Sequence, residues 1–119
     1  MTKGIKIMPN GSASHIEFDG LKDMQDVVGG FIECASEPTD NYDVYVNEEG
    51  LPKGLPLNIL ASLISGRKLL GPALVTGKPD EDGEITSVPK GVMTTLHQTA
   101  MIMEITGVPI GDPSWEKIG

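Results

Sequence analysis

Two pairs of segments with alternating side-chain character constrain the fold of this chain more than any other sequence feature. The first pair, KGIKIMP and SASHIEF, is separated by a turn cluster at residues 9–11, and the second, FIECASE and YDVYVNEEG, by a polar loop at residues 37–41. A period of two is typical of strands with one buried and one solvated face. Each pair therefore predicts a β-hairpin. We expect Phe18, Phe31 and either Ile32 or Cys34 to face the core.

Three other segments have the spacing of amphipathic helices. The first begins after a candidate N-cap at Asp19 and ends at Gly29-Gly30, the second lies in LNILASLIS, and the third follows Val88. Their expected apolar faces are Leu21, Met24, Val27 and Val28 in the first, Leu57, Leu60, Ala61 and Ile64 in the second, and Met93, Leu96, Ala100 and Met103 in the third. Between the last two helices LLGPALVT predicts a further strand, in which Pro72 indicates an edge position or a bulge.

The order and number of these elements predict an α+β fold. A length of 119 residues fits one domain. We expect a mostly antiparallel sheet of about five strands, with two or three helices packed on it. Residues 1–88 are expected to form the core domain. Residues 89–119 are expected to form a C-terminal helix and a tail, which packs on the core or on a partner subunit and carries Trp115 and Ile118.

Residues suited to catalysis or metal binding do not form a recognised pattern. One cysteine and two histidines far apart in the sequence do not make a zinc site, and the acidic stretch 80–84 lacks the other positions of a calcium loop. Cys34 has no histidine near it in the sequence, and we expect it in the core. Gly29 and Gly30 follow a helix, whereas a phosphate-binding loop precedes one. We predict no catalytic residue, no metal and no cofactor.

The charge and hydropathy of the chain exclude several classes of partner. Seventeen acidic and nine basic residues give a formal net charge of -8, which disfavours direct binding to nucleic acids and to anionic membranes. No segment has the apolar length of a membrane span, and no secretory signal is visible. A single cysteine allows no internal disulfide. We therefore expect a cytoplasmic protein.

A cluster of amides and carboxylates near one strand-turn-helix junction is the candidate binding site. Asn47, Glu48 and Glu49 lie in the turn, Asn58 lies at the start of the second helix, and Glu33 lies in the preceding strand. Polar loop residues on a rigid scaffold are where binding sites concentrate. The alternative is that these residues only shape the junction, with Asn58 tying the helix start to the neighbouring loop.

The strings VVGGFIE, YVNEEGLPKGLPLN and LLGPALVTGKPDEDGE, in this order, resemble an uncharacterised domain family that is common in bacteriophages and mobile elements. The resemblance covers residues 5–84. The recurrent positions of that family match Gly29, Gly30, Phe31, Ile32, Glu33, Asn47, Glu48, Glu49, Gly50 and Asn58 here. The resemblance implies a phage accessory protein in the cytoplasm of a bacterial host, and it transfers no catalytic residue.

We accordingly expect a non-enzymatic accessory protein that binds a host protein or a small nucleotide-like ligand. One alternative is an acidic inhibitor that imitates DNA towards a host nucleic-acid-binding protein, which requires carboxylates aligned on one face. Another is a small enzyme that uses Glu33, Glu48 or Glu49, which requires a closed pocket. We also expect a homo-oligomer, a dimer formed through the C-terminal helix, unless that helix covers the open face of its own sheet.

Overall fold

The computed structural model describes residues 1–37 and 40–107. Within these residues, five strands and three helices follow one another in the order β1, β2, α1, β3, β4, α2, β5, α3. Their bounds are Thr2–Ile7 for β1, Ala13–Phe18 for β2, Gly20–Val28 for α1, Ile32–Cys34 for β3, Tyr42–Asn47 for β4, Ile59–Ser65 for α2, Ala73–Gly77 for β5 and Val92–Thr106 for α3. None of the described helices has the length and apolar character needed to cross a membrane.

The five strands form one sheet in the order β2-β1-β5-β4-β3, and every neighbouring pair is antiparallel. The two predicted hairpins are confirmed: β1 pairs with β2 from Thr2–Phe18 to Ile7–Ala13, and β3 pairs with β4. β5 lies between them and pairs with β1 on one side and with β4 on the other. The predicted α+β fold with five antiparallel strands and three helices is therefore confirmed.

Helices cover both faces of the sheet, and each face has its own apolar cluster. On one face α1 packs through Met24 on Phe18, Tyr45 and Leu74. On the other, α2 and α3 contribute to a larger cluster with the strands. Its buried members are Ile5, Ile7, Ala35, Val44, Val46, Leu60, Ala61, Leu69, Ala73, Val75, Val92 and Leu96. Alternating side chains of the central strands thus supply two cores, because successive residues of a strand point to opposite faces.

Gly4 allows the sheet to pack closely on the α1 face. It lies opposite Ile16 in the β1–β2 register. A Cβ atom at Gly4 would lie 2.9 Å from Cδ1 of Leu74 and 3.1 Å from the ring of Phe18. A larger residue at this position would therefore force the end of the Leu74 side chain to shift.

The prediction that Pro72 marks an edge or bulged strand is wrong. Pro72 precedes β5, which begins at Ala73, and β5 is the central strand, buried along its whole length. The proline therefore removes no hydrogen bond from the β5 ladder.

Leu21, which was expected on the apolar face of α1, is 57% exposed. Two side chains of the segment FIECASE that were predicted to lie in the core are exposed as well. Phe31 ends the loop before β3 and is 64% exposed, and Cys34 is also exposed. Both lie on the short edge strand or next to it, where one side of the strand has no neighbour in the sheet. Of the two alternatives for β3, Ile32 and Cys34, Ile32 is the side chain that faces the core. It is half-buried against the α1 cluster, which is the apolar cluster of Phe18, Met24, Tyr45 and Leu74.

The first half of α3 packs on the sheet of its own chain. Val92 and Leu96 are buried in the larger cluster with β1 and β4 residues. Farther along the helix, Met103 is buried, whereas Met101, Ile102 and Ile105 are exposed. Trp115 and Ile118 of the predicted tail lie outside the described residues.

Asn58 joins α2 to the sheet from a fully buried position. Its Nδ2 donates to the carbonyl oxygens of Ile7 and Gly71, each at 2.9 Å. Its Oδ1 accepts a hydrogen bond from the backbone N–H of Ala61 at 3.1 Å and so caps α2. One amide therefore connects the end of β1, the approach to β5 and the start of a helix.

Replacing Asn58 by alanine is expected to lower the free energy of unfolding by about 2–4 kcal/mol, because it removes a helix cap and takes one hydrogen-bond donor from each of two buried carbonyl groups. Urea denaturation measures the change. The exposed Asn41 provides the matched control, since Asn41→Ala should shift the midpoint little. Equal stability of the Asn58→Ala variant and the control would contradict this role.

Candidate functional site

The buried side chain of Asn47 binds the turn after β4 through hydrogen bonds. Its Nδ2 donates to the carbonyl oxygen of Val28 at 3.3 Å, and its Oδ1 accepts from the backbone N–H of Glu49 at 2.8 Å. A Cβ atom at Gly30 would lie 2.8 Å from this Nδ2 atom, so the second glycine of the Gly29-Gly30 pair leaves room for the amide. The turn is thereby connected to the end of α1.

The backbone of the turn is also bound to the edge strand. The N–H of Glu48 donates to the carbonyl oxygen of Phe31 at 3.0 Å. The side chains of Glu48 and Glu49 are exposed, while their backbone is held by Phe31, next to β3, and by Asn47. The carboxylates therefore stand on a rigid support.

The structure brings three of the predicted site residues to one cavity. Glu33, Asn47 and Glu48 line a cavity of about 140 Å³ at the β3 edge of the sheet. Glu49 lies on the other side of the turn and lines a wider depression of about 510 Å³. The fifth residue, Asn58, is fully buried and its amide is hydrogen-bonded within the chain, so it is not available to a ligand. The alternative interpretation of Asn58, as a tie between helix and loop, is the one the structure shows.

Two cations accompany these carboxylates. Arg67 Nη2 lies 4.0 Å from Glu33 Oε1, and Lys53 Nζ lies 3.9 Å from Glu49 Oε2. All four side chains are about half exposed, so each ion pair contributes little to stability and its charges stay accessible. Lys68 also lines the smaller cavity.

Large apolar side chains flank the turn: Phe31 was predicted to lie in the core, and Leu51 was not among the predicted site residues. Phe31 is 64% exposed and Leu51 is 78% exposed. Phe31 lines the wider depression and Leu51 lines the smaller cavity. For Leu51 a signal was present, since a leucine among prolines and glycines of a loop has no periodic face to join. We name the following residues the turn surface: Phe31, Glu33, Glu48, Glu49, Leu51, Lys53 and Arg67.

A second polar cluster lies around the buried carboxylate of Asp43. Its Oδ1 accepts hydrogen bonds from Ser36 Oγ and Lys78 Nζ, each at 2.7 Å, and its Oδ2 accepts from Tyr45 Oη at 3.3 Å. Lys78 also donates to the carbonyl oxygen of Glu37 at 3.1 Å. The cluster therefore connects the loop after β3 to the end of β5.

The cluster shifts the titration of its members. Burial acts to raise the pKa of Asp43, but the hydrogen bonds from Lys78 and Ser36 and the charge of Lys78 outweigh it, so the pKa is lowered. The hydrogen bond to Asp43 raises the pKa of Lys78. Burial, followed by the charge of Asp43, raises the pKa of Tyr45. Since each polar group has a partner, this arrangement stabilises the fold and offers no free base.

Cys34 lies at the margin of this cluster, with its Sγ 3.3 Å from Ser36 Oγ. Ser36 in turn donates to Asp43, so the thiol is linked to a hydrogen-bonded chain that ends at a carboxylate already occupied by Lys78. Within residues 1–37 and 40–107, no three histidine, cysteine or acidic side chains stand close enough together to hold a metal ion.

A family model described as a domain of unknown function, DUF3846, matches residues 1–101. The chain belongs to this family. The match includes all five strands, α1, α2 and most of α3, so it extends beyond residue 84, where the resemblance in the sequence motifs ends. The turn surface lies wholly inside it. Comparisons with curated proteins and with solved structures found no match.

Asp43→Asn is expected to flatten the acid side of the stability curve. Because the pKa of Asp43 is lowered in the folded state, its carboxylate stabilises the fold above the ordinary aspartate pKa of about 3.9, and this contribution is lost as the pH falls through the lower folded value. Urea denaturation between pH 7 and pH ~2 should therefore show a smaller loss of unfolding free energy in the variant than in the wild type. The exposed Asp26 provides the control variant Asp26→Asn. Parallel curves for Asp43→Asn and the wild type would contradict this account.

Proposed function

We propose that this chain is a non-enzymatic binding protein that contacts a partner protein through the turn surface. The observation that carries the proposal is the exposure of Phe31 and Leu51 beside Glu33, Glu48, Glu49, Lys53 and Arg67. Protein interfaces have apolar and aromatic anchors in the centre and a polar, charged rim. The turn surface has this composition.

The rigid backbone of the turn supports a preformed interface. Asn47 connects it to α1, and Glu48 connects it to the edge strand. A surface that is already ordered loses less conformational entropy on binding than a mobile loop. The anchors Phe31 and Leu51 are therefore presented without a folding step.

A partner protein fits this site better than a small nucleotide-like ligand. The cavity that contains Arg67 and Lys68 has a volume of about 140 Å³, which is below the range of about 300–1,000 Å³ typical of small-molecule sites. The wider depression has one cation, Lys53, and this side chain is paired with Glu49. In each concavity a cation is paired with a carboxylate, Arg67 with Glu33 and Lys53 with Glu49, and these carboxylates oppose the binding of a phosphate.

The two alternative functions fit this surface less well. An enzyme based on Glu33, Glu48 or Glu49 needs a carboxylate enclosed in a pocket, and these three side chains are exposed. An imitation of DNA needs carboxylates without neighbouring cations, whereas Lys53 and Arg67 lie among the acids here.

An accessory role in a bacteriophage, exercised in the cytoplasm of a bacterial host, is part of the same proposal. It is supported by the order of the motifs VVGGFIE, YVNEEGLPKGLPLN and LLGPALVTGKPDEDGE. The partner is then a host protein with an apolar pocket for Phe31 or Leu51, surrounded by charges of both signs.

Leu51→Ala is expected to weaken capture of the partner at least fivefold, because truncation of an exposed apolar anchor removes buried contact area without touching the core. The immobilised chain is incubated with bacterial lysate, and the bound proteins are quantified by mass spectrometry. Leu63, an exposed leucine on α2, provides the matched control Leu63→Ala. The expected result is a protein retained by the wild type and by Leu63→Ala but lost with Leu51→Ala and with Phe31→Ala. If no protein shows this pattern, the turn surface is not the interface.

We also propose that α3 forms a homodimer contact. Met101, Ile102 and Ile105 form an exposed apolar face on the last two turns of the helix. α3 contains one acidic residue, Glu104, and neither lysine nor arginine, so two copies can approach along it despite the acidic net charge. A two-fold axis would bring the same three side chains of both copies together.

Light scattering behind size exclusion tests the dimer. The expected mass at micromolar concentration is twice the chain mass of 12.6 kDa, and Ile105→Glu should return it to one chain mass because it places a carboxylate in the apolar contact. Leu63→Glu on α2 is the control and should stay dimeric. A wild type with the mass of a single chain would exclude the dimer.

A further inference from the structure

A cavity of about 330 Å³ lies between α1 and its face of the sheet. We name it the α1 cavity. Its apolar walls include Phe18 from β2, Met24 from α1, Ile32 from β3, Tyr45 from β4 and Ile85 from the segment after β5. It shares no residue with the turn surface. Its volume and its apolar, aromatic walls match those of small-molecule sites in proteins.

The inner wall of the cavity is part of the protein core. Phe18, Met24 and Tyr45 are buried in one cluster with Leu74 of the central strand. Tyr45 is held further by the hydrogen bond of its hydroxyl to Asp43. Side chains in such a cluster keep one position, so the wall is formed before any ligand arrives.

The outer wall is a short turn organised by Asp80. The backbone N–H of Asp80 donates to the carbonyl oxygen of Glu84 at 2.9 Å. Its Oδ1 accepts from the N–H groups of Asp82 at 2.9 Å and of Glu84 at 3.0 Å. Beyond the turn, Ile85 packs against the α1 cluster. The acidic stretch 80–84, which superficially resembles a calcium loop, therefore forms an ordered wall of the cavity. The side chain of Asp80 is hydrogen-bonded to the backbone of this stretch.

The charged groups of the α1 cavity have one sign. Asp19 and Glu84 line it, both are exposed, and none of the described lining residues is basic. Asp23 adds a further carboxylate in the first turn of α1, and it accepts a hydrogen bond from the backbone N–H of Asp19 at 2.7 Å. The potential at the mouth favours a cation and opposes an anion.

We propose that the α1 cavity binds a small molecule with an apolar body and a cationic amine. The body contacts Leu21, Ile32 and Ile85, and the ammonium group faces Asp19 and Glu84. This site is separate from the proposed partner contact, so either proposal can fail without the other.

Three probes of equal chain length test the chemistry: n-hexylammonium, n-hexanol and n-hexanoate. Calorimetric titration of the full chain at low ionic strength should show hexylammonium binding at least about fivefold more tightly than hexanoate, because two carboxylates attract the first and repel the second. Methyl NMR spectra should place the largest shift changes at Met24, Ile32 and Ile85.

Glu84→Gln tests the cationic end of the site. It should weaken hexylammonium binding about twofold to fivefold and leave hexanol binding unchanged, because it removes one charge at the mouth and keeps the apolar walls. Glu81→Gln, in the same turn but outside the cavity lining, is the matched control and should change neither. Binding of hexanoate as tight as that of hexylammonium, shift changes centred elsewhere, equal effects of the two variants, or no saturable binding of any probe would each overturn the proposal.

Discussion

β5 pairs with β1 through Ile5–Val75, Lys6–Leu74 and Ile7–Ala73, and with β4 through four further residue pairs. These pairings join the two hairpins, which lie on either side of α1 in the sequence, into one sheet. An isolated two-stranded hairpin is marginally stable in water, whereas a larger sheet with covered faces is stable. All five residues of β5 are buried, and Leu74 and Val75 contribute to the two cores on opposite faces. The other elements depend on this strand for their place.

The Asp43 cluster and the turn surface both depend on β4, which lies beside β5. β4 has a buried polar residue near each end: Asp43 binds Ser36 and Lys78, and Asn47 binds the end of α1 and its own turn. These side chains fasten loops to the sheet by satisfying buried donors and acceptors. The turn surface is thus connected through Asn47 to β4, the strand next to the central strand β5. Ile32 lines the α1 cavity, and Glu33 lines the smaller cavity beside the turn surface. Because neighbouring residues of a strand point to opposite faces, these two cavities lie on opposite sides of β3.

Much of the fold was predictable because its signals are local. Period-two alternation gave both hairpins, and helical spacing with glycine stops gave the three helices. The central place of β5 was not predictable in this way, since pairing partners distant in sequence leave no mark on the strand itself. Alternation also leaves open which side chains of a strand point inward, so Phe31 and Cys34 were placed in the core although they are exposed. For the candidate site, the strand-turn cluster of Glu33, Asn47 and Glu48 was predicted. Arg67 was not predicted, because it follows α2 in the sequence and lies beside Glu33 only in the folded chain.

Native-state hydrogen exchange tests most directly whether β5 holds the two hairpins together. The amides of β5, β1 and β4 should exchange with one common free energy of opening, equal to the free energy of global unfolding from denaturation, because the sheet cannot lose its central strand and remain folded. The same amides should also respond together to increasing urea. Protection of the β1–β2 hairpin that persists while the β5 amides exchange would show that the hairpin is stable alone, and it would contradict this account.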